Sequence, residues 1–318
     1  MKSSPTDPIP AEPVSTDPAP ADPAPRDQNG LTEEAFLSQY DPNAFDRPAV
    51  SVDTVVFSID SRMQTKNYRK LDEQKLTVLL LKRNEHPHLG KWSLPGGFVG
   101  SQESLDQAAL RVLRDKTGLD DVYIEQLYTF GHPHRDPRMR VISTAWLALI
   151  DRSRYRLNNT HTERIANPAW CEIDFPKEAQ ALRLQINNEA ITIPVKTGET
   201  RNGKISAPTY TATDPSPLAF DHTALILEGL LRLRNKIDYT DIVFNLLPDR
   251  FTITHLQQIC EIIGGEKLLS PAFRRKTARK ITPTGEYTRE RGHRPSQLYT
   301  YHNNNGSITE PEEEVPHG

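Results

Sequence analysis

The stretch that most constrains this chain runs from Lys91 to Leu119, KWSLPGGFVGSQESLDQAALRVLRDKTGL, because it specifies a turn, a helix and both helix ends in one continuous run. Trp92-x-Leu94-Pro95-Gly96-Gly97-Phe98 reads as a strand ending in a tight turn. Adjacent glycines supply the positive φ such a turn takes and let the backbone approach a bound group. Ser104 and Gln107 have the spacing of a capping box. Leu105, Ala108, Ala109, Val112 and Leu113 then fall on one helical face, and Gly118 suits a C-cap.

This loop and helix resemble the Nudix box, the diphosphate-hydrolase signature G-x5-E-x7-R-E-U-x-E-E-x-G-U, with U a bulky aliphatic. Aligned from Gly97, the match gives Glu103, Arg111, Leu113, Gly118 and Leu119. The three family carboxylates that hold metal fall on Val112, Asp115 and Lys116. Diphosphate hydrolysis uses Mg2+ held through carboxylates. Valine has no ligand atom, and a lysine repels a divalent ion. The degenerate box (Glu103, Arg111, Val112, Asp115, Lys116) is therefore expected to carry no catalytic residues and no metal, with Glu103 tying down the loop. The expected role is a pocket for a nucleotide diphosphate, lined by Arg83, Gly96, Gly97, Phe98, Arg111, Lys116, Arg135 and Arg138. Lys116, Arg111 or Arg114 stands in for the metal, since a cationic side chain neutralises phosphate directly. A hydrolase and an inert scaffold stay open as alternatives.

The rest of the chain places this pocket. Residues 1–47 open with a proline-rich tract, TDPIPAEP then TDPAPADPAP, which forbids helix and sheet; a short helix is expected within 31–47. Residues 50–57, 76–83, 123–128 and 141–150 read as strands, and those around the loop and helix imply a mixed sheet with the helix on one face. Residues 182–186 and 191–195 suggest a hairpin, followed by a polar stretch to about 218 and an amphipathic helix over 221–236. His132, His134 and His222 are not read as ligands.

Residues 235–302 differ in character. A helix is expected over 237–247, then a helix opened by a capping box at Thr254 and Gln257 and closed by Gly264-Gly265. A third follows, with Ser270 as N-cap and Pro271 in the first turn. Two short strands, 286–288 and 297–301, flank a basic tip. The order is that of a winged helix–turn–helix. From Phe273 to Arg294 the chain carries Arg274, Arg275, Lys276, Arg279, Lys280, Arg289, Arg291 and Arg294 against Glu286 and Glu290, a net of +6 inside a chain of −3. That concentration is the electrostatic footprint of duplex DNA binding. Phe273 and Ile281 are expected to face the core and leave Arg274, Arg275 and Arg279 outward. Residues 303–318 are Asn-rich and acidic.

Together WSLPGGFV, the box, RDPR before a strand, LAFDH before a helix and LQQICEIIGGEKLLSPAFRRK with a wing ending GHRPSQLY resemble the Nudix-related transcriptional regulators of NAD metabolism, the NrtR family. The resemblance covers roughly 48–302. It implies an α+β Nudix-fold sheet (48–234) followed by a DNA-binding winged helix (235–302), in a homodimeric repressor of NAD biosynthesis or salvage genes. Such a repressor binds a palindromic operator and senses ADP-ribose or a related NAD-derived nucleotide. An active ADP-ribose pyrophosphatase with an accessory DNA-binding domain is the alternative. Two cysteines, Cys171 and Cys260, form no disulfide framework, and no apolar run reaches the ~20 residues of a membrane span. A cytoplasmic protein is expected.

Overall fold

The computed structural model describes residues 26, 28, 30–41, 47–62, 73–154, 168–288 and 295–302. The proline-rich tract, the acidic tail and the wing-tip arginines Arg289, Arg291 and Arg294 lie outside the described residues. The chain forms two compact units, Met1–Arg47 and Pro48–Gly318. The first contains α1 (Glu33–Gln39), capped by Thr32, whose hydroxyl accepts from the Ala35 amide.

The second unit runs through β1 (Ala49–Arg62), β2 (Glu73–Lys82), β3 (Trp92–Ser93), β4 (Gly96–Phe98), α2 (Leu105–Thr117), β5 (Tyr123–Phe130), β6 (Val141–Leu149), β7 (Pro168–Asp174), β8 (Ala181–Ile186), β9 (Glu189–Asn202) and β10 (Ile205–Ala212). It continues with α3 (His222–Lys236), α4 (Ile253–Gly264), α5 (Ser270–Thr277), β11 (Ile281–Tyr287) and β12 (Gln297–Tyr301). The large sheet has the order β10-β9-β8-β7-β2-β1-β6-β5, with β3 on β2 and β4 on β1. β1 and β6 are parallel and the other pairs antiparallel, so the sheet is mixed.

The period-2 alternation of β1 assigns its two faces. Val52 and Val56 point to the side covered by α2, with Ala108, Ala109, Val112 and Leu113. Val55, Phe57 and Ile59 point to the other side, against Leu225, Ile226 and Leu230 of α3. Both faces are covered, which explains why β2 reads as a nearly continuous apolar run. The ends of α2 match the sequence reading: Ser104 and Gln107 close a capping box, and Gly118 caps the helix at φ 74°.

Elsewhere the local signals shift. The polar stretch expected after 195 is instead a long hairpin, β9 with β10, whose solvent-facing strands carry no apolar alternation to read. The helix expected over 237–247 shrinks to one 3-10 turn, Ile242–Leu246. Thr252 rather than Thr254 caps α4, its hydroxyl accepting from His255 N at 3.0 Å. Leu269 rather than Ser270 occupies the N-cap of α5, with proline in the first turn as expected. The first wing strand starts early, at Ile281, and pairs with β12 across a bulge.

The apolar cluster on the α3 side of the sheet continues into the C-terminal helices. Leu256, Ile259 and Ile263 of α4, Phe273 of α5 and Ile281 of β11 join the cluster built on β1, β2 and α3. Among the described residues no helix is long and apolar enough to cross a membrane.

Candidate functional site

The site begins at an acid inside an apolar strand. Asp53 lies in β1 between Val52 and Thr54, and its side chain is buried. An isolated buried carboxylate is costly unless it is paired and hydrogen-bonded. Arg135 approaches its Oδ2 at 3.3 Å, the Ser143 hydroxyl donates to the same oxygen, and His222 Nε2 faces Oδ1 at 3.6 Å. Burial by itself raises the Asp53 pKa. His222, Arg135 and Ser143 outweigh it and bring the group down to about 2.

Arg135 and His222 each tie the acid to other elements. Arg135 donates from Nε and Nη2 to both oxygens of Asp221, at 2.9 and 2.7 Å, just before α3. His222 accepts the Leu94 amide on Nδ1 at 2.9 Å, so its ring links the start of α3 to the segment between β3 and β4. Arg135, expected as a phosphate contact, is a buried ion-pair hub on the pocket wall. Removing one member of such a hub leaves an uncompensated charge.

The network predicts a pH signature. Asp53 is lowered from 3.8, so its stabilising contribution is complete above that value and fades as pH falls through about 2. Thermal unfolding followed from neutral pH into acid is expected to show a fall in Tm near the bottom of this window that is shallower in Asp53→Asn. An identical acid slope in the two proteins removes Asp53 as its source.

Gly96 and Gly97 follow from the same geometry, with a correction. Neither has positive φ; both lie in β4, where Gly97 pairs with Val52 and Gly96 with Asp53. A Cβ on Gly96 would stand 1.9 Å from Asp53 Oδ1, and one on Gly97 3.0 Å from Val112 Cγ2. The glycines serve close packing, not a turn.

A pocket of about 280 Å3 opens beside this network. Asp53, Ser51, Gly96, Gly97 and His222 form part of its wall, with Arg83, Lys116, Arg135, Arg138, Phe98 and Phe220. Arg138 forks onto Asp136, with Nε at 3.0 Å and Nη2 at 2.7 Å, and lies over Phe98 at 5.3 Å and Phe220 at 6.0 Å. Arg83 lies 5.0 Å over Phe220. Burial, then the charge of Arg83, pull the Lys116 ammonium below the ordinary lysine range. Ser51 Oγ, also on the pocket wall, is buried and has no hydrogen-bond partner among the described residues. Aromatic faces beside several cations suit a planar base and an anionic phosphate in one molecule.

Seven of the eight expected ligand residues border this pocket. Arg111 does not: its Nε and Nη2 grip both oxygens of Glu103 at 2.8 and 2.6 Å, and Nη2 also donates to the Phe98 carbonyl at 3.1 Å. Glu103 in turn accepts the Gly100 amide at 2.7 Å and ties down the loop, as expected. Sequence reasoning misses Ser51, Asp53, Phe220, Asp221 and His222. An acid within VSVDTVVF is a signal for Asp53, and Phe220 to His222 stand in the LAFDH motif. Phe220 has φ 52°, a left-handed conformation unusual for an aromatic residue and typical of functional sites.

The divalent ion implied by the Nudix fold does not fit these residues. Val112 is buried and has no ligand atom, Glu103 is committed to Arg111, and Asp115 is exposed beside Arg111 and Arg114. Lys116 brings a cation to the pocket wall. Among the described residues no three His, Cys, Asp or Glu side chains gather in a ligating group.

The second candidate surface is α5. Phe273 and Thr277 are buried, which turns Arg274, Arg275, Lys276 and Arg279 to solvent. Lys276 reaches Asp238 at 3.5 Å, and Lys280 is half-buried against Asp241. Arg274, Arg275 and Arg279 therefore remain as the cations on this helix and the turn after it that make no ion pair among the described residues.

Comparisons with known proteins bear on both surfaces. A family model described as the NrtR DNA-binding winged helix domain matches residues 243–301, and one described as the NUDIX domain matches 69–188. The chain is 32% identical over 276 residues to the ADPR responsive transcriptional repressor NtrR of Acinetobacter baylyi, covering 86% of this chain and 90% of that one. Among solved structures it resembles a MutT/nudix family protein from Enterococcus faecalis (TM-score 0.65, 25% identity, 86% and 94% of the two chains). It also resembles Shewanella oneidensis NrtR complexed with a 27mer DNA (TM-score 0.54, 27% identity, 80% and 93%).

Proposed function

This chain belongs to the NrtR family of Nudix-related transcriptional regulators, and from that premise we propose that it represses NAD biosynthesis or salvage genes, senses ADP-ribose or a close relative, and does not hydrolyse it. Residues 48–234 serve as the ligand-binding part and 235–302 as the DNA-binding part of a cytoplasmic homodimer. A two-fold dimer presents two recognition helices to the two halves of a palindromic operator.

The observation that carries the reading is Lys116. Where the Nudix signature has a metal-binding acid, this chain lines its pocket with an ammonium. A cation there neutralises a diphosphate without the Lewis acid that cleaves it. The base is read as lying against Phe98 or Phe220, and the phosphates near Arg83, Arg138 and Lys116.

A mobility shift on the protein's own upstream DNA, with and without ADP-ribose, tests the regulatory half. The expected result is a shifted band that ADP-ribose weakens; a tight complex indifferent to every NAD-derived nucleotide overturns sensing. Incubation with Mg2+ and ADP-ribose is expected to release no AMP. Steady AMP release returns the pyrophosphatase reading.

A further inference from the structure

One end of α3 meets the pocket wall, and the other meets α4, the helix that leads into α5. At its start, Asp221 holds the N-cap position yet makes no capping bond, because Arg135 takes both its carboxylate oxygens. Arg135 is part of the pocket wall. At the other end, Arg234 donates from Nε to the Ile263 carbonyl at 2.9 Å, from Nη1 to the Tyr210 hydroxyl at 3.0 Å and from Nη2 to the Phe175 carbonyl. Its guanidinium also lies 5.0 Å over the Phe175 ring. Ile263 is in the last turn of α4, the helix that precedes α5. By sequence Arg234 is only one of several cations favoured at a helix C-terminus; its three acceptors give it a specific role.

Between these ends the helix is held as a body. Leu225, Ile226, Leu230 and Leu233 are buried, and a Cβ on Gly229 would stand 3.2 Å from the side chains of Val55 and Phe57. Fifteen residues at 1.5 Å each span about 22 Å. A close-packed helix transmits displacement and does not absorb it.

We propose that α3 is the lever between pocket occupancy and the DNA-binding helices, with the Asp221–Arg135 pair as its ligand-sensitive end and Arg234 as its output clamp. The inference rests on the reading that the pocket takes a diphosphate nucleotide. A phosphate drawn to Arg135 competes with Asp221 for the guanidinium. A released Asp221 carboxylate stays beside the first turn of α3, where the helix dipole favours an acid. The Asp221–Arg135 pair thus has a closed and a released arrangement, and a ligand that favours one shifts the population by its differential affinity. Arg234 passes the resulting movement of α3 to the Ile263 carbonyl, and so to α4 and α5.

The test uses the full chain, a duplex that the protein itself recovers from a random library, and ADP-ribose. In the wild type, ADP-ribose is expected to weaken duplex binding by about tenfold or more, within the usual range of allosteric coupling. In Arg234→Ala, affinity for each partner alone stays within about threefold of wild type, while the coupling falls below about threefold. Reciprocity requires the effect of duplex on ADP-ribose affinity to collapse by the same factor, a readout that a merely structural role leaves unmoved. An Arg234→Ala protein with wild-type coupling overturns the lever. Should that variant not fold, Arg234→Lys, which keeps the charge and loses the fork, and Tyr210→Phe are judged by the same criterion. A wild-type chain that binds DNA but not ADP-ribose overturns the functional reading instead, whatever the variants do.

Discussion

Replacing Arg274 and Arg275 together by alanine is expected to lower affinity for the operator by about a hundredfold or more, since each cation on a base or phosphate contributes about 1–3 kcal/mol. Both side chains are exposed on α5, follow the buried Phe273 and make no ion pair among the described residues. Their removal leaves the core untouched, so Tm and ADP-ribose affinity stay close to wild type. Arg279→Ala weakens binding by a similar single-residue factor. Lys280→Ala behaves differently: its partner Asp241 also accepts from the Tyr301 hydroxyl at 2.9 Å, so the substitution acts on the join between α5 and β12. Titration against salt sharpens the distinction. Each lost phosphate contact lowers the slope of log affinity against log salt by about 1, whereas a lost base contact relaxes sequence preference with little change in slope. An Arg274→Ala/Arg275→Ala protein that still binds its operator with wild-type affinity removes α5 as the recognition helix.

The second large effect is expected at Lys116. Lys116→Glu places a carboxylate on the pocket wall that already holds Asp53, Glu85 and Asp136, and it is expected to weaken ADP-ribose binding by about a hundredfold or more, the loss of one charged contact plus a new repulsion. Lys116→Gln removes the charge alone and costs about tenfold, within the range for one hydrogen bond to a charged group. Although Glu restores one acid of the Nudix signature, hydrolysis does not return, because Val112 still has no ligand atom and Glu103 remains bound to Arg111. Calorimetric titration with ADP-ribose decides the binding half, and AMP release with Mg2+ the chemical half. Unchanged affinity in Lys116→Glu sinks the idea that this lysine replaces the metal.

Both variants probe residues that are legible in the sequence. Charge density marks α5, and alignment of the box marks Lys116. The network around Asp53 is far less legible. Asp53, Arg135 and Asp221 are separated by more than eighty residues at each step along the chain, and no local pattern links them. Arg111 shows the opposite error. As a cation in a phosphate-binding signature it reads as a ligand contact, and only its geometry shows both Glu103 oxygens occupying it.

The sequence by itself determined what depends on neighbours within a few residues: the capping box and left-handed C-cap of α2, the two-sided burial of β2, the outward arginines of α5, and the missing ligand atom at Val112. These rest on backbone geometry, periodicity and side-chain chemistry that travel with the local chain. Tertiary structure alone decided that Gly96 and Gly97 serve close packing against Asp53 and Val112, that Arg135 is held between two acids, and that Arg234 ties α3 to α4. Each of these is a contact between distant segments, fixed only when the sheet and its covering helices bring them within reach of one another.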